Sequence, residues 1–415
     1  MSEYKGFEKV TLIFLTAGEM PANNNIISSQ VLKLSDYFYD KKLFEEIKYI
    51  GFVPVTTWLK AKLNKRLDFS FIEKKPYSTK LYTTFFKIGG IIEYLCKNVS
   101  IKRDINKITK QFNKNDKETI IFHCRSYYAT FIAIKLKDKL QNRRIKIVFD
   151  MRSLLPPEFP LTMGKIGRYF YGDGKKWEFY LLNNSDAALM TTNKAINLLK
   201  IENPSANIKY IPITGLNNII INYKEVFEER WNEKRISYIG SISPWHPIDS
   251  IERTFDFFEK YIDNTTFEII TNSKKVKTHI IVKNIAHNNI ESYYNNLLAL
   301  IIPGISTIND YFQRLKLSVN FFSTKAAEAI SKGVPLIVNE DISELAEFVS
   351  NNKCGIVFRF KNGIELLNCK YDDLNSKSFW EQLSANMFTV SKNYAFTAVA
   401  DSYINIYSSI LTEEI

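Results

Sequence analysis

The chain has 415 residues, of which 45% are apolar and 14% aromatic, and its formal net charge is +12. This length exceeds one ordinary core, so two domains are expected, and the basic excess favours an anionic partner such as a nucleotide or a phospholipid surface. The absence of a zinc-finger spacing, an aromatic nucleic-acid signature or a clean basic helix argues against nucleic acid. The four cysteines are scattered without a C-x-x-C pair, which is typical of a reducing cytoplasm and argues against a disulfide framework or a zinc site.

Short apolar runs alternate with amphipathic stretches along the first half of the chain. The first run, "VTLIFLTAG", is too short to span a membrane and has no basic leader, so we expect a buried strand. Strands that alternate with helices predict βαβ units and a parallel sheet covered on both faces. The other predicted strands of this half are "IKYIGFVPV", "TIIFHCRS", "IKIVFDMRS", "AALMTT" and "IKYIPIT".

The segment from Lys60 to Lys117 is strongly basic and poorly patterned. Apolar and basic residues interleave in "STKLYTTFFKIGGIIEYLCKNVSIKR". One interpretation is an irregular helical insertion with a solvated basic face. The other is an interfacial surface that meets anionic lipid.

A second series of predicted strands follows Arg235, with helical stretches such as "IDSIERTFDFFEKYI" between them. The sequence therefore predicts an α/β protein with two doubly wound, Rossmann-like halves. The predicted domains are residues 1–222, residues 223–395 and a C-terminal helix, residues 396–415, that returns to the first domain. The strands predicted in the second half are "ISYIGSIS", "TFEIITNS", "HIIVKNI", "LALIIPG", "PLIV" and "GIVF".

Polar residues end two neighbouring predicted strands of the first half. His123 and Arg125 close "IIFHCRS", and Asp150 and Arg152 close "IVFDMRS". Because sites collect at strand C-termini in α/β folds, His123 is a candidate to take a proton or to orient a hydroxyl, with Asp150 fixing His123 or Arg152. The alternative is a satisfied core histidine beside a structural Asp–Arg pair. The loop "GEMPANNNIISSQ", which contains Glu19, is the equivalent loop after the first strand.

A polar cluster opens a predicted short helix in "FFSTKAAEAISKGVPLIVNE". Helix N-termini leave N–H groups unsatisfied and carry a partial positive charge, so Ser323 or Thr324 can cap the first turn while Lys325 adds a full charge. Together they form a candidate phosphate site. Glu328, one turn further in, could accept two hydrogen bonds from a ribose diol. The alternative interpretation is a capped surface helix with a solvent-facing glutamate.

The stretch from residue 323 to residue 358 resembles the donor-nucleotide signature of the glycosyltransferase group 1 family, the retaining family 4 enzymes of the GT-B fold. The upstream stretch "YIGSISPWHPIDSI" resembles the glycine loop of that family, and the resemblance covers most of residues 120–360. The matching positions of the signature are Lys325, Glu328, Gly333, Pro335, Glu344, Val349, Cys354, Gly355 and Val357.

The resemblance implies two Rossmann-like domains that face each other across a cleft, with a nucleotide-sugar donor on the C-terminal domain and the acceptor on the N-terminal one. Carried over by position, Glu328 would hold the donor ribose, and the backbone at Ser323, Thr324 and Lys325 would meet the diphosphate. Gly240 and Ser241 would approach the phosphates from the first loop of the second domain. No divalent ion or other cofactor is implied. The catalytic candidates are His123, Asp150, Arg152 and Lys325, and the acceptor-side candidates are Arg125 and Glu19.

Two departures from the family pattern bear on the donor. Many members carry an Arg after the loop glycine and a Lys five residues later as a phosphate clamp, where this chain has Ser241 and His246. Asn320 stands in place of the first Glu of the E-x7-E motif. His246 is a candidate donor contact, with packing as the alternative, and a single histidine without a partner at ligand spacing is a poor metal ligand.

The sequence thus predicts a glycosyltransferase that moves a sugar, with retention, to a glycan or lipid-linked acceptor in surface polysaccharide synthesis. The basic first half favours a cytoplasmic protein associated with the inner face of the plasma membrane. The alternatives are a GT-B transferase that uses a CMP-activated acidic sugar and a non-catalytic GT-B scaffold subunit. A nicotinamide dehydrogenase is disfavoured because no G-x-G-x-x-G follows a predicted strand.

Overall fold

The computed structural model describes residues 7–18, 21, 27–63, 70–84, 90–112, 119–140, 144–216, 222–273, 276–285, 289–320 and 322–412. The chain divides into two compact units. The first is made of Met1–Met190, Ala195–Tyr210 and Tyr403–Ile415, and the second of Thr191–Lys194 and Ile211–Ser402.

The first unit contains a parallel sheet of seven strands in the order β3-β2-β1-β4-β5-β6-β7. Strands β1 and β5 are buried along their whole length, since helices cover both faces of a parallel sheet. The strands are β1 (Val10–Ala17), β2 (Glu46–Pro54), β3 (Ser78–Thr84), β4 (Thr119–Arg125), β5 (Ile145–Asp150), β6 (Ala187–Met190) and β7 (Ile208–Tyr210).

The helices that alternate with these strands follow the predicted βαβ pattern. A π-helical turn, Ser28–Leu32, leads into the first of them. The helices are α1 (Lys33–Asp40), α2 (Val55–Leu63), α3 (Ser70–Glu73), α4 (Gly90–Cys96), α5 (Ile101–Thr109), α6 (Tyr127–Lys139), α7 (Glu158–Asn183) and α8 (Asn193–Glu202).

The second unit repeats the same strand order in a seven-stranded sheet, β10-β9-β8-β11-β12-β13-β14, whose last strand is antiparallel. Successive residues of its central strand point to opposite faces, so Leu300 and Ile302 pack in one core cluster and Ile301 in the other. The strands are β8 (Arg235–Ile239), β9 (Thr266–Ile270), β10 (Ile281–Lys283), β11 (Ala299–Ile302), β12 (Leu336–Asn339), β13 (Gly355–Lys361) and β14 (Gly363–Leu366).

The helices of the second unit include two short 3₁₀ segments, Tyr371–Asn375 and Lys392–Tyr394. The last helix begins in the second unit, and its residues from Tyr403 onward belong to the first. The α-helices are α9 (Tyr223–Glu233), α10 (Ile248–Phe258), α11 (Ile290–Asn295), α12 (Tyr311–Asn320), α13 (Thr324–Ser331), α14 (Ser343–Asn352), α15 (Lys377–Ser391) and α16 (Phe396–Thr412).

Two strands were missed by the sequence analysis. Strand β3 lies in the basic segment for which an irregular helical insertion was one interpretation, and it pairs with β2 in parallel. Its alternation of polar and apolar residues is short, and lysine and serine are weak strand signals. Strand β14 follows a turn at Gly363, and its pairing with β13 is antiparallel, outside the βαβ pattern.

This strand order places a topological switch point in each unit, where connections leave the sheet in opposite directions. In the first unit it lies between β1 and β4, where Phe14 pairs with His123. In the second it lies between β8 and β11, and Gly240 directly follows β8. Polar side chains at these two positions are therefore the candidate sites. None of the helices in the described ranges is long and apolar enough to cross a membrane.

Candidate functional site

Helix α13 presents its polar residues at a capped N-terminus. The Ser323 side chain accepts a hydrogen bond from the backbone N–H of Ala326 at 3.3 Å, which makes Ser323 the N-cap and Thr324 the first helical residue. Ala326, Ala327 and Ile330 are buried in the core of the second unit. Because these small apolar residues fix one face of the helix, Lys325 and Glu328 lie on the partly exposed side.

Lys325 meets the loop after β8. Its Nζ lies 3.0 Å from the Tyr238 hydroxyl and 4.2 Å from the centre of the Tyr238 ring. Gly240 has a φ of +138°, and a Cβ at this position would lie 3.1 Å from Lys325 Nζ. The Tyr238 hydroxyl also donates to the carbonyl of Ser241 at 2.7 Å. The glycine loop and the mouth of helix α13, which the sequence analysis predicted as one donor site, are thus adjacent.

The charge of Lys325 is poorly stabilised within the protein. Burial lowers the pKa of Lys325 to about 7. Because burial is the sole cause of this shift, no carboxylate among the described residues compensates the Lys325 charge. A cation in this state favours an anion from outside the protein, which would restore the missing interaction.

Glu328 lies one helical turn after Lys325 and is held by a tyrosine. The Tyr294 hydroxyl donates to Glu328 Oε2 at 3.1 Å. Burial and the nearby Glu328 carboxylate raise the pKa of Tyr294 well above its ordinary value, so this hydroxyl stays protonated and remains a donor. The contact orients a partly exposed carboxylate that can accept hydrogen bonds from a ligand.

His246 is buried beneath this cluster. Its ring packs against the Tyr238 ring with centroids 5.5 Å apart, and its backbone closes a tight turn with Ser243. Burial, and secondarily Lys325, lower the pKa of His246 well below its ordinary range, so the ring is neutral. This geometry accounts for His246 as a packing residue behind Tyr238. Its role as a donor contact stays a prediction.

The first unit gathers the polar residues that end β4 and β5. His123 Nε2 lies 3.4 Å from Asp150 Oδ2, and its Nδ1 lies 2.7 Å from the Tyr407 hydroxyl. Arg152 Nε donates to the same carboxylate at 2.8 Å, and its Nη2 donates to the Tyr403 hydroxyl at 2.8 Å. Three of the four polar residues predicted at the two strand ends are therefore linked by contacts, from His123 through Asp150 to Arg152.

The charge of Asp150 is compensated within this cluster. Burial alone would raise the pKa of Asp150, but Arg152, His123 and Arg125 together hold it well below its usual range. Burial lowers the pKa of His123, which outweighs the opposite effect of Asp150. His123 is only 2% exposed, so a substrate proton could reach it only after a rearrangement.

A pocket of about 220 Å³ lies beside this cluster. Arg125 and Arg152 line it, whereas His123 and Asp150 do not. Ser126 and Arg152 adopt positive φ values of 100° and 60°, so the backbone is strained where the chain leaves both strands, a feature that clusters at functional sites. The remaining lining residues are Ala17, Gly18, Glu93, Tyr127, Met151, Ser153 and Leu155.

The remaining predicted residues fall in two groups. Glu19 lies outside the described residues. Thr324 and Ser241 lie at the helix mouth and in the glycine loop. Within the described ranges, no group of three His, Cys, Asp or Glu side chains is placed to hold a metal ion.

Four tyrosines complete these clusters and were not singled out by the sequence analysis: Tyr238, Tyr294, Tyr403 and Tyr407. Each contacts a predicted site residue that is distant in sequence, so no local pattern identifies it. Tyr238 is the partial exception, because it lies two residues before Gly240 in the predicted strand.

A scan against protein-family models and a search of curated proteins both find no match to this chain. Solved structures do match. Sucrose-phosphate synthase from Thermosynechococcus elongatus aligns with a TM-score of 0.63 at 11% identity, over 98% of this chain and 100% of that chain. HepE from Anabaena, in complex with UDP and glucose, aligns with a TM-score of 0.58 at 10% identity, over 97% of this chain and all of that chain. TarM aligns with a TM-score of 0.56 at 11% identity, over 98% of this chain and 99% of that chain.

At these identities the likeness shows the fold alone. The chain has the two-domain α/β architecture of GT-B proteins, with a seven-stranded sheet in each unit. The predicted fold class is confirmed.

Proposed function

We propose that the protein is a glycosyltransferase that binds a nucleotide-sugar donor at helix α13 of the second unit. The observation that carries this proposal is the contact between the glycine loop and the helix mouth, where Lys325 lies against Tyr238 beside Gly240. HepE, which shares the fold, has been solved with UDP and glucose. A capped helix N-terminus, an uncompensated lysine and an oriented carboxylate together match the phosphates and ribose of a nucleotide.

The residues of this site would act on the leaving group. As the bond between the anomeric carbon and the phosphate oxygen breaks, negative charge develops on the departing nucleotide. The N-terminus of α13 and Lys325 would stabilise that charge, and Glu328 would hold the ribose. Because this positive charge comes from the protein itself, we propose that no metal or other cofactor is required.

The acceptor would bind the first unit, at the pocket lined by Arg125 and Arg152. Its hydroxyl oxygen would form the new bond to the anomeric carbon and release its proton. His123, buried between Tyr407 and Asp150, would act chiefly by fixing Asp150 and hence Arg152. Glu19, in the sequence that follows the first strand, is proposed to lie on the acceptor side.

Finer features of the proposal rest on the family resemblance and on charge. Transfer with retention follows from the resemblance to the family 4 enzymes. The basic first half of the chain supports a glycan or lipid-linked acceptor in surface polysaccharide synthesis, at the inner face of the membrane. The scattered cysteines support a cytoplasmic protein.

A CMP-activated acidic sugar is the second candidate donor. The specific observation in its favour is the neutral, buried His246 at the position where the family carries a cationic phosphate clamp. A nucleoside monophosphate leaves with less charge than a diphosphate and needs fewer cations. A scaffold subunit without activity is the remaining alternative from the sequence.

The test is a panel of UDP-, GDP-, ADP- and CMP-activated sugars, with the released nucleotide measured by chromatography and binding measured by calorimetry. We expect one nucleotide to bind and to be released by the native protein, and release to be lost in Lys325→Ala. Release of CMP alone would establish the second candidate. Failure of every nucleotide to bind would contradict the proposal and favour the scaffold.

A further inference from the structure

Helix α7 in the first unit is folded back on itself by three glycines. Gly164 has φ 54° and ψ −124°, which interrupts the helix after its first turns. A Cβ on Gly167 would lie 1.9 Å from the carbonyl oxygen of Phe159, and a Cβ on Gly174 would lie 2.5 Å from the Phe159 ring. The part of α7 before Gly164 therefore packs against the part after it. It can do so only because Gly167 and Gly174 lack side chains.

The fold projects an apolar and basic segment into solvent. We name residues 161–169 the α7 tip. Met163, Ile166 and Tyr169 are 44%, 56% and 80% exposed, although large apolar side chains are usually buried. Lys165 and Arg168 lie among them and are also exposed. The α7 tip contains no aspartate or glutamate, so its formal charge has a single sign.

Helix α4 extends this surface. It packs against α7 through Tyr94, whose ring centroid lies 6.0 Å from that of Phe159 and 5.7 Å from that of Trp177. Three further apolar residues of α4 and the turn after it are exposed, namely Ile92, Leu95 and Val99. Helices α4, α6 and α7 line a groove of about 430 Å³. It carries three lysines and one aspartate, namely Lys97, Lys135, Lys176 and Asp173.

We propose that the α7 tip docks onto an anionic lipid bilayer, with Met163, Ile166 and Tyr169 entering the headgroup layer. Lys165 and Arg168 meet the lipid phosphates. Isolated apolar residues on a surface need no explanation. The α7 tip instead exposes three apolar residues close together and interleaved with cations, which is the composition of interfacial segments. The two cations of the α7 tip, with no acidic residue among them, are complementary to anionic lipid. This proposal rests on the membrane association given under the proposed function and names the surface that would provide it. It requires no sugar transfer, so liposome binding and nucleotide release can fail independently.

Flotation of the 415-residue protein with liposomes tests the proposal. We expect binding to phosphatidylglycerol liposomes at low salt, weaker binding as salt rises, and none to phosphatidylcholine liposomes. The double variant Ile166→Glu/Tyr169→Glu should lose binding. The double variant Lys165→Gln/Arg168→Gln should weaken it by about fivefold for each charge removed.

Matched controls come from helix α8 in the same unit, where Ile201 is 79% exposed and Lys200 is also exposed. Ile201→Glu and Lys200→Gln should bind liposomes as the native protein does. The proposal is overturned if the native protein ignores anionic liposomes at low salt, or if the α7 variants bind as tightly as these controls. A native dimer that Ile166→Glu/Tyr169→Glu converts to a monomer in sedimentation experiments would instead assign the α7 tip to a second copy of the chain, and would also overturn it.

Discussion

The polar clusters of the two units lie at equivalent switch points but balance their charges differently. In the first unit, Asp150 is surrounded by Arg152, His123 and Arg125, and its pKa is lowered because its charged form is stabilised. In the second unit, the contacts of Lys325 Nζ among the described residues are the Tyr238 hydroxyl and ring, and burial lowers its pKa to about 7 because its charged form is destabilised. A buried charge with internal partners contributes to folding, whereas a charge without a counterion is available to a ligand.

This difference shows that a polar cluster near a switch point can serve structure in one unit and binding in the other. The comparison predicts that substitutions in the first cluster mainly change the free energy of unfolding. Substitutions in the second cluster should mainly change the binding and release of the nucleotide. Stability and nucleotide binding are both needed to separate the two roles, because either quantity alone would leave them unresolved.

The largest effect is expected for Asp150→Ala, which removes the carboxylate shared by two arginines and a histidine. Leaving buried cations unpaired should cost about 3–5 kcal/mol of the free energy of unfolding of the first unit. Hydrogen exchange of strand β4 and thermal unfolding would measure this loss. The matched control is Asp138→Ala, whose carboxylate is 65% exposed beside Lys135 and should change stability by less than about 0.5 kcal/mol.

The pH dependence of the same cluster has a defined sign. Because the pKa of Asp150 is lowered on folding, its contribution is present above the ordinary aspartate pKa and is lost as the pH falls below it. In Asp150→Ala, the free energy of unfolding should therefore depend less steeply on pH in the acid range. If His123→Asn or Asp150→Ala instead keeps native stability and donor binding but abolishes transfer, the cluster is catalytic and the comparison breaks.

The second prediction concerns Lys325→Ala. If Lys325 stabilises the departing nucleotide, its removal should lower kcat and kcat/KM together by about 10²–10³-fold, the sign of an interaction made in the transition state. Thermal stability should stay near native or rise, because the removed cation is partly buried and poorly compensated. Steady-state kinetics measure the first effect and thermal unfolding the second.

The control for this variant is Lys361→Ala, in the same unit and 68% exposed. It should leave kinetics and unfolding unchanged. A rise in KM alone for Lys325→Ala would mean that this lysine only binds the donor. A large loss of stability would place Lys325 in the same class as Asp150.

Much of the fold could be predicted from the sequence because its signals are local. Twelve of the strands that the structure contains correspond to apolar runs, and Ser323 caps the helix expected to follow it. Strands β3 and β14 were missed because few of their residues are apolar and most are partly or fully exposed.

The partners within the sites could not be predicted in the same way. Tyr407 contacts His123 across most of the chain, and Tyr294 reaches Glu328 from another helix. Such contacts depend on how elements that are distant in the sequence pack together. The hydrophobic periodicity of the sequence carries no information about this packing. The charge balance that distinguishes Asp150 from Lys325 depends on these partners, so the sequence named both residues without separating their roles.

The third prediction is smaller and concerns Glu328. Glu328→Ala should weaken binding of the preferred nucleotide by about 1–3 kcal/mol, the range for a hydrogen bond to a charged group. Tyr294→Phe should weaken it less, because it only releases the orientation of the Glu328 carboxylate. Calorimetry measures both affinities, and Glu259→Ala, an exposed glutamate of the same unit, is the control. Unchanged affinity in Glu328→Ala would remove this residue from the site.

The smallest effect is a pH dependence of nucleotide affinity that should originate in Lys325. With its pKa lowered to about 7 by burial, Lys325 is charged below that pH and increasingly neutral above it. A bound phosphate favours the charged form, so the pKa should rise in the complex, and binding above pH 7 should take up a proton. The affinity should then fall by about tenfold for each pH unit above 7, until the pKa of the complex is reached.

Calorimetry at pH 8 in buffers of different ionisation enthalpy measures the proton uptake directly. Lys325→Gln removes the titrating group without leaving a cavity, and it should bind more weakly at pH 6.5 but with an affinity that no longer changes between pH 7 and 8.5. If the native protein takes up no proton, or if the variant keeps the native pH profile, then Lys325 is not the group that meets the phosphate. The assignment of Lys325 to ligand binding and of Asp150 to stability would then be wrong.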